Sequence, residues 1–308
     1  MEDLNVICLQ PEEPILGSLR RPVRLRPAPA SAPSYPMRYV EERLRAKNVY
    51  FLARQQLSID RDVCRLVSSP QDCPLVRNVF KDAGRRFVAA LDRTADDGKR
   101  LVIKAFPLRN LLAQLRWRRY GYREFCNHRE AVCRGIPTAG LYAYFHVQNR
   151  FGFTESCGVL MEHLADYTTL REALLRETTD RWQTLADAAA LLHACQAQGV
   201  NHIDASVDNI LIGADGLRLI DWQYASFFDS PRVSQAVMQT AYFLQTSPFA
   251  ADSREAACFK DEVYARVRPS LRRDRFDLLV DQLASGPRVS VRQRANLNRR
   301  VFQGLERP

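Results

Sequence analysis

Residues 201–224, NHIDASVDNILIGADGLRLIDWQY, constrain the fold of this chain more than any other stretch. Two apolar runs, 210–212 and 217–220, flank Asp215-Gly216. Asp-Gly between short apolar runs predicts a β-hairpin, because this dipeptide supplies the positive φ angles of a tight turn. His202, Asp204 and Asn209 precede the hairpin and Asp221 follows it. A small sheet can therefore aim four polar side chains at one point.

Two carboxylates and an amide in this order fit phosphoryl transfer. That chemistry needs a base beside the attacking hydroxyl and a carboxylate on the metal that holds a triphosphate, and it benefits from a second ligand for that metal. Asp204 suits the first role, Asp221 the second and Asn209 the third. His202 can take part in catalysis but is better suited to bracing the loop. Any one of these residues alone is an ordinary turn, cap or strand-end residue; the joint spacing across a hairpin carries the reading.

The totals bound the alternatives. At 308 residues the chain can bury one large core or two lobes, and 46% hydrophobic with 26% charged residues is usual for a globular protein. A net charge of +10 and a pI near 9.4, carried mostly by Arg, favour an anionic partner. The eight Cys form no C-x-x-C pair, so neither a zinc site nor a disulfide framework is expected, and a reducing, cytosolic compartment fits. Residues 1–14 are acidic and lack a basic-then-apolar pattern, so no signal sequence is expected, and no apolar run reaches the length of a spanning helix.

Along the chain, residues 1–37 are Pro- and Arg-rich and predict a disordered tail. Residues 38–57 have helix-forming composition, and 38–72 are expected to make a helical N-terminal extension with 58–74 as connector. Strand-like runs follow at 76–80, 87–91 and 100–106, then a long helix over 114–134 closed by Gly135 and Pro137, then strands at 142–147 and 158–163. After Thr168 the pattern turns helical, with helices expected at 169–176, 184–198, 259–267 and 275–283.

HIDASVDNILI followed by LIDWQYA resembles the catalytic and metal-binding loops of the protein-kinase-like superfamily. Leu101-Val102-Ile103-Lys104 resembles the strand carrying its phosphate-binding lysine, and REFCNHREAVCRGIPT at 123–138 resembles the helix that supplies the glutamate partner. The Arg-Glu-aromatic start and Gly-Ile-Pro end look most like the bacterial lipopolysaccharide core kinases of the Kdo/WaaP family. Trp222 after the metal-binding Asp is also similar to aminoglycoside and choline kinases. The resemblance covers roughly residues 73–240.

It implies an α+β, two-lobed protein-kinase-like fold: an antiparallel five-stranded N-lobe with one long helix over 73–164, and a mainly helical C-lobe over 165–308. ATP and Mg²⁺ are the implied cofactors, with Asn209 and Asp221 on the metal. Lys104 is expected on the phosphates and paired with Glu124, preferred over Glu130 for its spacing to Gly135; the other glutamate would face solvent. Met161, Glu162 and His163 fall where an adenine-binding hinge is placed. The glycine-rich loop departs from the family pattern, since only Gly84 is available between the first two strands, with Arg85 and Arg86 beside it.

Residues 222–240 lack the Ala-Pro-Glu anchor on which protein kinases build a peptide platform, which turns the expected substrate toward a sugar, a glycolipid or another small molecule. The expected activity is kinase transfer to a lipopolysaccharide core sugar, with an aminoglycoside- or choline-type kinase and a nucleotide-binding pseudokinase as alternatives. The run RNLLAQLRWRRYGYR mixes Arg116, Arg118 and Arg119 with aromatics and suits an acidic ligand or an anionic membrane surface; nucleic acid is disfavoured. The expected place is the cytoplasm, peripheral on the inner face of the cytoplasmic membrane.

Overall fold

The computed structural model describes residues 41–46, 48–54, 57–176, 180–267, 271–287, 290–291 and 293–294. The expected tail at 1–37 lies outside them. The chain divides into two compact units: Met1–Phe125 with Gly140–His163, and Cys126–Ala139 with Leu164–Pro308.

The first unit is built on an antiparallel sheet. Its strands are β1 (Glu41–Ala46), β2 (Val49–Arg54), β3 (Val76–Asp82), β4 (Phe87–Thr94), β5 (Arg100–Pro107), β6 (Leu141–Gln148) and β7 (Thr154–Glu162), in the order β1-β2-β6-β7-β5-β4-β3. β5 sits between β4 and β7 and is buried on both faces from Leu101 to Phe106, which explains its unbroken apolar run. The expected helix over 38–57 is instead the hairpin β1–β2, whose second strand pairs with β6 from Val49↔Val147 to Ala53↔Ala143. Val49, Phe51 and Ala53 are buried while Tyr50, Leu52 and Arg54 are half-exposed, a period of two that won over helix-forming composition.

The expected connector at 58–74 contains α1 (Arg61–Ser68), capped by Asp60, whose side chain accepts from the Val63 amide at 2.9 Å. Val63, Leu66 and Val67 bury its inner face. The single helix expected over 114–134 is broken. A short α2 (Leu111–Leu115) and a 3-10 turn at Trp117–Arg119 lead into α3 (Gly121–Cys133), and Gly135, at φ 73, ends that helix.

In the second unit, α4 (Leu170–Leu175) starts from a Thr169–Glu172 capping box. Next, α5 (Arg181–Ala197) starts from Asp180 and ends at Gly199. Gly199 has φ 63, and a Cβ there would lie 2.3 Å from the Phe228 carbonyl oxygen, so no other residue fits. The hairpin β10 (Ile210–Gly213) and β11 (Gly216–Leu219) forms where expected. Its turn residues are Ala214 and Asp215, with Gly213↔Gly216 as the closing pair; Gly216 takes φ 106, and Asp215 does not enter the left-handed region. The short strands β8 (Thr168–Thr169), β9 (Val200–Asn201) and β12 (Ser226–Phe227) complete two small sheets, with β8 on β10 and β9 on β12. Helices α6 (Val233–Thr246), α7 (Arg254–Val267) and α8 (Arg273–Ala284) close the core, where Phe243 stacks on Phe259 at 3.9 Å.

Candidate functional site

In the first unit Lys104 and Glu124 are both buried and joined, Nζ to Oε1, at 2.5 Å. Two glycines make this approach possible. A Cβ on Gly121 would lie 2.7 Å from the Gly158 amide nitrogen, and a Cβ on Gly158 would lie 2.3 Å from the Lys104 carbonyl oxygen. The start of α3 thus rests on the backbone of β7, and Glu124, one turn along, reaches the lysine on β5. Glu130 is half-exposed and is also engaged: it accepts from Arg134 Nε at 2.8 Å, and Arg134 Nη1 donates to the carbonyls of Gln198 at 2.7 Å and Phe228 at 2.8 Å. Its part is to orient an arginine that satisfies the end of α5.

Gly84 lies at φ 63 in the turn between β3 and β4, where the Ala83 amide donates to the Arg86 carbonyl at 3.1 Å. A Cβ there would meet the Arg109 guanidinium at 3.6 Å. The Arg86 guanidinium and the Lys104 ammonium both approach the Phe106 ring, at 5.6 and 5.8 Å. The turn therefore brings the positive charges of Arg86, Lys104 and Arg109 near one glycine, which suits an anionic ligand.

At the end of β7, Met161 pairs with Val102, while the amides of Glu162 and His163 donate to the carbonyls of Gly140 and Arg100, each at 2.7 Å. The Glu162 carboxylate accepts from the Gly140 amide at 2.8 Å and from Lys99 at 2.9 Å. Neither amide is available to an adenine ring, so any recognition by Glu162 and His163 falls to carbonyls or side chains.

In the second unit the loop before the hairpin is held by its own backbone. The Ala205 amide donates to the His202 carbonyl at 3.0 Å, and the Ser206 amide to the Asp204 carbonyl at 2.7 Å. Asn209 Nδ2 donates to the Asp204 carbonyl at 2.8 Å, which leaves the amide oxygen as the atom that could hold a metal. The Ile220 amide donates to the Asn209 carbonyl at 3.0 Å, continuing the β10–β11 ladder, and the Ile220 carbonyl accepts from His202 Nε2 at 2.9 Å. Ile220 is thus clamped from both sides, immediately before Asp221.

Asp221 takes φ 66 and ψ 69, the one left-handed non-glycine among the described residues. Asp tolerates that region better than most residues, yet such a conformation is held only when its surroundings impose it. They do so through Trp222, which is fully buried and donates from Nε1 to Thr138 Oγ1 at 2.8 Å. Thr138 in turn donates to the Leu219 carbonyl at 2.6 Å, and Asn127 Nδ2 donates to the Trp222 carbonyl at 2.9 Å.

One solved structure to which the chain is similar is titled "WaaP in complex with acyl carrier protein", at 16% identity and a TM-score of 0.47, over 81% of this chain and 99% of that one. No protein-family model and no curated protein matches the chain.

His202 is buried, and burial holds its imidazole below the usual histidine range, with the Asp204 and Asp221 carboxylates pulling the other way. A neutral ring that donates from Nε2 to a carbonyl and lies edge-on to Trp222 at 4.6 Å is a brace. Among the described residues no group of three or more His, Cys, Asp and Glu converges on one point. A carboxylate at Asp221 and an amide oxygen at Asn209 still fit Mg²⁺, which takes one or two protein oxygens and fills its other positions with water and phosphate.

Two functional candidates have no sequence signal. Tyr242 on α6 donates to Asp204 Oδ1 at 2.8 Å, and Arg294 Nη2 donates to the same oxygen at 3.0 Å. Both lie tens of residues downstream, in a region without a recognisable motif.

Proposed function

We propose that this chain is an ATP-dependent phosphotransferase acting on a hydroxyl of an anionic sugar or glycolipid, with a lipopolysaccharide core sugar as acceptor. The buried Lys104–Glu124 pair carries the reading. Two charges removed from water inside an apolar sheet contribute little net stability, so their retention points to a use for a fixed, oriented ammonium. Holding the phosphates of ATP is that use.

Asp204 orients the acceptor hydroxyl. The hydroxyl oxygen bonds to the γ-phosphorus as the bond to the β,γ-bridging oxygen breaks, ADP leaves, and the hydroxyl proton passes to Asp204. Asp221 and Asn209 Oδ1 would hold Mg²⁺, which when bound offsets the charge of the triphosphate. The motif resemblance and the net charge of +10 support the lipopolysaccharide core over cationic aminoglycosides or choline, and a reaction at the cytoplasmic face of the membrane is part of the same proposal.

The test offers Mg·ATP with lipopolysaccharide core, an aminoglycoside, choline and a generic protein to the purified chain. Transfer to core sugar that disappears in Asp204→Ala is the expected result. Transfer to an aminoglycoside or choline alone would reassign the acceptor. Tight ATP binding without turnover on any of the four would replace the enzyme by a nucleotide-binding module.

A further inference from the structure

The first unit carries an apolar patch ringed by arginines that the phosphotransfer reading does not use. α2 turns its leucines outward: Leu111, Leu112 and Leu115 are 55%, 64% and 61% exposed. Leu115 lies four residues after Leu111 and three after Leu112, so it neighbours both and the three form a single protruding surface. The helix is held by Asn110, whose side chain accepts from the Ala113 amide at 2.8 Å, and by Gln114 Nε2, which donates to the Leu108 carbonyl at 3.1 Å. Nothing in this anchoring requires the outward residues to be leucine.

The Leu108 amide donates to the Glu155 carbonyl at 2.7 Å, which brings the approach to α2 alongside the start of β7 and the turn before it. Phe151, in that turn, is 70% exposed, with the Arg150 guanidinium 4.7 Å from its ring centroid. Exposed large apolar residues scattered singly are ordinary; a cluster on one short helix beside an exposed phenylalanine marks an interaction site.

The rim decides the partner. Arg109 precedes α2, Arg116, Arg118 and Arg119 follow it, and all four are exposed. Residues 105–123 contain no acidic side chain; Glu155 is the exposed acid nearest in the chain to the turn. Trp117 does not join the rim. It packs against Tyr122, Tyr144 and His146 at 5.6, 6.2 and 5.0 Å, so the arginines stand on a fixed aromatic base. Apolar side chains that can enter an acyl boundary, surrounded by long cationic side chains that reach back to the headgroups, match an anionic bilayer surface. We propose that this face docks on an anionic lipid bilayer, with Leu111, Leu112, Leu115 and Phe151 inserted and the arginines on the headgroups. Among the described residues no helix is long and apolar enough to cross a membrane; the attachment proposed is peripheral.

The test is flotation of the full chain with vesicles of phosphatidylcholine alone and with added phosphatidylglycerol, at low and moderate salt. Binding is expected only with the anionic lipid, weakened by salt and reduced about fivefold for each arginine removed in an Arg116→Gln, Arg118→Gln, Arg119→Gln series. Leu112→Glu with Leu115→Glu, at exposed positions and with an unchanged thermal melt, is expected to abolish it. Absence of flotation on anionic vesicles at low salt overturns the proposal, as does flotation that ignores the leucine substitutions. Capture by a soluble acidic protein, lost in the same variants while vesicles are not bound, would assign the surface to a protein partner instead. Phosphotransfer assayed on a soluble acceptor is expected to survive in the leucine variant, which keeps failure of this inference separate from failure of the enzymatic one.

Discussion

Arg294 donates through Nη2 to Asp204 Oδ1 at 3.0 Å while its guanidinium lies 3.3 Å from the centroid of the Tyr242 ring. The Tyr242 hydroxyl donates to the same oxygen at 2.8 Å. One carboxylate oxygen thus carries two donors, and under the proposed function Oδ2 is the oxygen that would take the proton of the acceptor hydroxyl. Arg294→Gln is expected to lower kcat roughly tenfold to a hundredfold, the scale of a misplaced general base. ATP affinity should stay within about twofold, because the contacts of Arg294 are with Asp204 and Tyr242 and not with Lys104. Arg294→Lys keeps the charge without the planar fork and should fall between. An equal loss of ATP affinity in Arg294→Gln would show that the residue does not act through Asp204.

The Lys104–Glu124 pair separates stability from function. Lys104→Met leaves the Glu124 carboxylate buried without its lysine and is expected to cost about 3–5 kcal/mol in urea unfolding. Lys104→Met with Glu124→Leu should recover most of that loss, since apolar residues of similar size often replace a buried pair without penalty. Nucleotide binding, followed by titration, should remain lost in both. Recovery of ATP binding in the double variant would mean that the lysine is structural.

Gly158 tests how the pair is brought together. A Cβ there would stand 2.3 Å from the Lys104 carbonyl oxygen and 2.6 Å from the Phe145 ring, and backbone in a central strand cannot yield cheaply. Gly158→Ala is expected to destabilise the first unit by on the order of 3 kcal/mol and to weaken ATP binding by displacing β5. Gly98→Ala is a useful contrast. Gly98 has open space around it and only its φ of 79 to resist substitution, so its cost should be smaller and ATP binding unaffected. Equal unfolding costs for the two would refute the close-approach argument.

What could be read from the sequence follows from how local each signal was. The hairpin after Asn209 was legible because the glycine and both apolar runs lie within eleven residues, although the turn fell on Ala214-Asp215 and not on Asp215-Gly216. The Lys104 strand was legible because burial on both faces makes an unbroken apolar run. The β1–β2 hairpin was not, since Glu41, Glu42, Arg43 and Leu44 form helices readily and only pairing with β6 makes them a sheet. The break between α2 and α3 is set by the close contact of Gly121 with Gly158, thirty-seven residues away, which no helical period can show. Arg294 reaches Asp204 across ninety residues with no motif around it, so only the folded chain reveals the contact.

His146 gives the protein a pH signature. Its ring stacks on Tyr50 at 4.7 Å and lies 5.0 Å from Trp117 and 5.7 Å from Tyr144, and burial lowers its pKa from 6.5 to about 4. The folded state therefore keeps the ring neutral where the unfolded chain protonates it. Unfolding takes up a proton between about pH 6.5 and pH 4, so stability falls as pH drops through that window and levels off below it. His202, lowered by burial as well, acts in the same direction. His146→Phe retains a ring for the Tyr50 stack and removes the titration. Urea unfolding at neutral pH and near pH 4.5 should show the wild type losing more stability than the variant, with the remaining slope coming in part from His202. Identical pH dependence in the two proteins would mean that His146 is protonated as readily in the fold as outside it.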